Sequence, residues 1–198
     1  MVYGLNVKPE HGYYVGVEPL NGDILRIGVV DQTADEGYVD SAYTWGRPVK
    51  TDFVPTKMRW CDRQRHPIPD FDAGLMLNVS NRAKNLIDNL EPGVHQFLPV
   101  EFFDIDDRFV ESRWVLIVCN RIDSVDRNHS RLRLANGLFW VPDGVVDPKL
   151  VFNEEQASGY HLWRDKYLIS GPFISDVLAE RIQKEALTGL RLHRAESV

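Results

Sequence analysis

The sequence predicts an α+β protein, with a β-rich N-terminal part and a C-terminal part that carries a mixed sheet and two or more helices. Three observations lead there. Short runs of β-branched and aromatic residues, broken by Gly, Asn and Pro, fill the first seventy residues. Two later segments carry apolar residues at helical spacing, each opened by a serine. Between them lies Trp114-Val-Leu-Ile-Val-Cys119, an apolar run of strand length and far too short to cross a bilayer.

In chain order, residues 13–17 and 24–30 flank Asn21-Gly22-Asp23, which reads as a hairpin. Residues 63–72, with two prolines, read as extended surface chain and a long loop. From Ser80 the pattern is helical, with Ala83, Leu86, Ile87 and Leu90 on one face and Pro92-Gly93 as the stop. Residues 94–102 resume as a strand that contains Pro99, and residues 111–123 form the central strand. Shorter strands follow in LRLANGLFWV, KLVFN and YHLWRD. A last helix places Ile174, Val177, Leu178, Ile182 and Ala186 inward, stops at Thr188-Gly189 and releases LRLH as a strand. The chain reads as a single domain over 1–198, with 1–70 a β-rich N-terminal region and 71–198 the α+β region.

Val79-Ser80-Asn81 and Ile174-Ser175-Asp176 repeat one grammar. Each puts a serine at a helix start, where its oxygen accepts an otherwise unpaired amide for about 1 kcal/mol. Asp176 adds a favourable charge at the positive end of the helix, and Gly189 supplies the left-handed residue that ends it. Capping therefore accounts for Ser175 without catalysis. Whether the two units descend from a duplication is left open by one sequence.

Composition narrows the function. With 198 residues the chain can bury roughly 70% of its unfolded surface. Its 43% hydrophobic and 26% charged residues are those of a folded protein. The net charge of −6 without a Lys/Arg run argues against a nucleic-acid partner. Two cysteines make no disulfide framework, and the N-terminus lacks a basic start followed by an apolar run. A cytoplasmic protein with neither a membrane partner nor a cofactor is expected.

Three clusters invite chemistry. Asp104, Asp106 and Asp107 can hold a hard cation, but Arg108 opposes it, and a solvated turn or an acidic partner-facing patch fits the same letters. Asp123, Asp126 and His129 pair carboxylates with imidazole, without a positioned nucleophile. Cys61, His66, Cys119 and His129 lack the close pairs of a zinc site. Phosphate-binding, dinucleotide, nucleophile-elbow and zinc-protease motifs are absent. An enzyme built from scattered Asp and His residues, a hydrolase or a metal-dependent one, remains the alternative to a binding protein.

The order Pro69-Asp-Phe71, LMLNVSNRAKNLIDNL, VHQFLPVEF, RIDSVDRNHS, HLWRD and FISDVLAERIQKEALTGLRL resembles a family of bacterial immunity proteins from polymorphic toxin systems, first catalogued as a domain of unknown function. The resemblance covers residues 65–193 and rests most on the Ser175-Asp176 helix with its Thr-Gly-Leu ending, then on Asp123, Asp126 and Ser130. It implies a toxin encoded nearby as partner and no catalytic residues. It also implies that Ser80, Ser175, Asp176 and Gly189 are caps, that Trp163 is core, and that Asp123 and Asp126 brace turns with Ser130. An acidic inhibitor gains association rate against a basic cleft. The expected toxin-facing residues are therefore Asp104, Asp106, Asp107 and Glu111, or Asp35, Glu36 and Asp40.

Overall fold

The computed structural model describes residues 1–9, 12–31, 41–144 and 149–198. Among these, the strands before the first helix are β1 Val2–Val7, β2 Val17–Pro19, β3 Lys57–Trp60, β4 Phe71–Asp72 and β5 Asn78–Val79. Helix α1 spans Asn81–Leu90, followed by β6 Gln96–Phe103, β7 Phe109–Ile117 and β8 Arg121–Ile122. Next come β9 Leu132–Ala135, β10 Phe139–Pro142, β11 Val151–Phe152, β12 Leu162–Asp165 and β13 Phe173–Ser175. Helix α2 Asp176–Lys184, β14 Leu190–Arg194 and β15 Glu196–Ser197 complete the order. The architecture is α+β and strand-rich.

Two larger sheets carry the fold. One has the order β14-β1-β13-β12-β8, the other β2-β3-β6-β7-β5-β4. Both are mixed: β8 runs parallel to β12 and β3 parallel to β6, while their other pairs are antiparallel. The segment from β7 to β8 passes from one sheet into the other. Its apolar run alternates between two cores, with Val115 and Ile117 facing one and Leu116 and Val118 the other. A strand buried on both faces reads as continuous hydrophobicity.

The core on the Leu116 side joins both sheets to both helices. Leu5, Phe71, Val79, Leu162 and Ile174 from the strands meet Ala83, Leu86, Ile87, Leu178, Ala179 and Ile182 from α1 and α2. A second core packs β3, β6 and β7 against the N-terminal segments through Met58, Trp60, Phe102 and Val49. A third gathers Val2, Val125, Phe152, Trp163 and Phe173 on the outer face of the five-stranded sheet.

Pro99 leaves the β6 ladder intact. The Glu101 amide bonds the Thr56 carbonyl on the β3 side. By the two-residue period the Pro99 nitrogen faces that side too, just beyond the end of β3, where β6 has no strand partner.

Three expectations need correction. The hairpin between residues 13–17 and 24–30 does not form, because β2 pairs with β3 and Ile24–Arg26 is a 3-10 turn capped by Asp23. Asn21 Oδ1 accepts the amides of Thr56 and Lys57 at 2.9 and 3.0 Å, so the turn residues dock a distant segment instead of closing a local hairpin. Of residues 63–72, only the first half is surface chain; Ile68, Asp70, Phe71 and Asp72 are buried. In α2, Val177 is exposed while Ala179 is buried, and Ala186 takes φ +50° beyond the last helical residue. Leu187 then packs inward in its place.

Candidate functional site

The β6–β7 hairpin projects the most conspicuous surface. Its register runs from Gln96 opposite Ile117 to Phe103 opposite Phe109, with a shift at Phe102/Phe103. Asp104 builds the turn: its Oδ1 accepts the amides of Asp106 and Arg108 at 2.8 and 3.0 Å. The Arg108 amide, with that of Asp106 and the nearby Arg65 and Arg108 guanidinium groups, holds the Asp104 carboxyl below its ordinary range. Asp107 adopts φ +59°, a left-handed conformation that aspartate tolerates in turns.

Three apolar side chains stand out on this tip. Ile105 is 39% exposed, Phe109 58% and Val110 43%. Phe109 rests edge-on against Phe103 with ring centroids 6.1 Å apart, which fixes the ring without hiding it. Around them the charges alternate in sign. Arg59 reaches Asp107 at 2.7 Å and Glu18 at 3.1 Å, Arg65 pairs with Asp106, and Arg113 holds Glu111 at 2.8 Å. The expectation of an acidic patch is thus modified: Asp104, Asp106, Asp107 and Glu111 are each matched by a guanidinium group. The pairs of Arg59 and Arg65 are solvent-accessible and of a kind that contributes little to stability, whereas Arg113 is buried and fixed. Exposed apolar groups within a polar rim are what protein contact surfaces present.

Asp35, Glu36 and Asp40 lie outside the described residues. The remaining sequence-selected side chains are dispersed through the scaffold. Ser80 Oγ accepts the Ala83 amide at 3.3 Å and Ser175 Oγ that of Leu178 at 3.2 Å, so both cap their helices. Asp176 takes the Val177 amide. Asp126 Oδ1 accepts the amides of Asn128 and His129 at 2.9 and 2.8 Å and bonds the His129 ring at 3.0 Å. Ser130 Oγ bonds both the amide and the carbonyl of Val151. Asp123 acts differently, with its Oδ2 2.5 Å from Arg127 and its Oδ1 buried without a hydrogen-bond partner among the described residues. Gly189 does not end α2 as expected: the helix stops at Lys184 and Ala186 takes the left-handed turn, while Gly189 has φ +88° further on, where a Cβ would sit 2.0 Å from the Phe71 carbonyl oxygen.

Several buried polar residues carry no signal in the sequence beyond being charged or amide side chains. Glu91 accepts the amides of His161 and Leu162, the Asn120 amide group and the His95 ring, all at 2.8–2.9 Å. Arg113 donates to Asn78 and Glu111 and to the carbonyls of Pro69 and Asp70. Asp70 bonds Ser80 Oγ and the Thr188 amide and hydroxyl, joining the start of α1 to the chain beyond α2. Asp165 holds Ser124, which in turn accepts the Trp163 indole N–H.

The candidate chemistries meet different geometry. His161 Nδ1 lies 2.8 Å from Ser175 Oγ, but among the described residues no carboxylate pairs with that imidazole ring, and the serine oxygen is engaged by the helix. His129 beside Asp126 is 60% exposed, which leaves it in solvent rather than in a desolvated cleft. Cys61 and Cys119 are both free thiols, and burial pushes Cys119 up to about 11. Among the described residues no three His, Cys, Asp or Glu side chains converge as a metal site, and no helix is long and apolar enough to cross a membrane.

Fold and surface together define a strand-rich α+β protein that displays an apolar, charge-rimmed hairpin. Over residues 26–197 the chain matches the immunity protein family (Imm11), and it belongs to that family. The match begins well before residue 65 and so takes in much of the N-terminal β region. No curated protein matches the chain.

Proposed function

We propose that this protein binds a cognate toxin encoded beside it and neutralises it by direct contact, using the tip of the β6–β7 hairpin. Family membership supports an immunity role and, in general, a toxin as partner. The observation that carries the contact surface is the exposure of Ile105, Phe109 and Val110 together at one turn. A large aromatic fixed by its neighbour and rimmed by ion pairs has the make-up of an interface anchor. Asp104, Asp106, Asp107 and Glu111 set orientation there through alternating charge; Asp35, Glu36 and Asp40 are the alternative acidic contributors. The mechanism is occlusion without catalysis, and the site of action is the cytoplasm.

Co-expression with the adjacent gene's product tests this reading. The expected result is rescued growth and a complex that survives purification. A toxic neighbour that is neither bound nor relieved contradicts it.

A further inference from the structure

A second site lies where the two sheets meet. A cleft of about 310 Å³ opens between β1, the β4–β5 connection and the Gly171-Pro172 turn. Leu5, Leu77, Leu116 and Val118 form apolar walls, Tyr43 stands at the side, and Arg164 contributes the one charged side chain among the described lining residues. Arginine is out of pattern here. Along β12, Leu162 faces the helix-bearing core and Trp163 the opposite core. Arg164 therefore falls on the Leu162 side, where the alternation calls for another apolar residue.

Arg164 is half-buried, and its guanidinium is also unlike those of buried Arg113 and half-buried Arg121. Arg113 is tied to two side chains and two carbonyls, and Arg121 donates to the carbonyls of Trp45 and Lys166. The Nε of Arg164 is buried and has no hydrogen-bond partner among the described residues. Gly46, with φ +74°, packs close against the Arg164 stem, so that its ideal Cβ would stand 3.0 Å from Arg164 Cβ. Burial lowers the guanidinium to about 10, with Tyr43 opposing the shift. It stays charged at neutral pH. A cation held among apolar walls without a counter-ion is costly unless a ligand supplies one.

We infer that this cleft is a binding site for a carboxylate borne on an apolar group, with Arg164 clamping the carboxylate and Leu5, Leu77, Leu116 and Val118 receiving the apolar part. Guanidinium suits the task because its planar fork matches both carboxylate oxygens. The volume is that of a small-ligand pocket.

Hexanoate is the probe, and its neutral isostere hexanamide the control. Titration calorimetry on the whole protein is expected to show saturable binding of hexanoate, with hexanamide weaker by about tenfold or more through loss of the charge-assisted bonds. Arg164→Gln is expected to abolish the preference for hexanoate. Absence of hexanoate binding, or equal affinity for the two probes, overturns the inference. The comparison on the wild-type protein needs no variant to fold, and since no toxin is present it stands apart from the immunity reading. Competition then assigns the source. Displacement of hexanoate by the toxin places the carboxylate on the partner protein, and undisturbed hexanoate binding assigns the site to a free small carboxylate; both support the site.

Discussion

Glu91 ties the two sheets together at a point that one substitution can probe. It follows α1, yet its carboxylate receives the amides that open β12 and the side chain of Asn120, where the chain crosses between sheets. Burial alone would raise its pKa, but the His95 ring and the amides of His161 and Leu162 prevail and lower it. Glu91→Gln keeps the shape and removes the charge, and is expected to cost about 2–4 kcal/mol in urea unfolding. A loss within the error of wild type would show that the seam does not depend on it. Asp62 gives a pH-resolved test. Burial opposes its ionisation, but the Gln64 and His66 amides, Tyr13 and the His66 ring bring it down to about 2. A depressed carboxyl stabilises the fold above its unfolded value, about 4, and that contribution is lost as pH falls through the folded one. The melting temperature should therefore drop between about pH 4 and pH 2, and Asp62→Asn should flatten that limb. An unchanged limb in the variant would assign acid sensitivity elsewhere. Glu91's role is not legible in the sequence, because the amides it receives belong to a strand some seventy residues further on. Asp62 has local partners at 64 and 66, but its burial depends on how that turn packs.

At the scale of elements, local grammar was readable where local physics decides. Ser80 and Ser175 cap the helices predicted from their spacing, since the bond runs only three residues ahead. The register at the end of α2 is less legible, because a turn taken by Ala186 exchanges it for Leu187 inside the core. The failed N-terminal hairpin is the sharper lesson. Asn21-Gly22-Asp23 has turn chemistry, but its amides and carboxamide bond residues 53–57, and long-range pairing prevailed over the local alternative. Gly93, beyond the end of α1 at Leu90, and Gly189, beyond the end of α2 at Lys184, separate backbone strain from close approach. Gly93 and Gly189 both have positive φ, but a Cβ at Gly93 meets open space whereas one at Gly189 meets the Phe71 carbonyl. Gly93→Ala should cost about 1 kcal/mol and Gly189→Ala about 3 kcal/mol or more, by chemical denaturation. Equal costs would mean that the chain beyond α2 shifts freely to admit the methyl group.

For the whole molecule, the helix-bearing core draws on both sheets, and Asp70 and Glu91 cross-brace them. We accordingly propose that residues 1–198 unfold as one unit. Calorimetry should give a single transition whose calorimetric and van't Hoff enthalpies agree. Two resolved transitions would restore a division near residue 70. The hairpin tip is only half readable: the Asp cluster marks the turn, but Arg59 and Arg65 come from β3 and the following loop, and the exposure of Phe109 depends on where β7 begins. The claim that this tip meets the toxin is the one on which the functional account turns. The most direct measurement is toxin affinity for wild type against the double variant Phe109→Asp, Val110→Asp, with melting temperatures matched. Removal of a central apolar anchor should weaken binding by about 2 kcal/mol or more, at least thirtyfold. An affinity within twofold of wild type, in a variant that is folded, would place the toxin on another face.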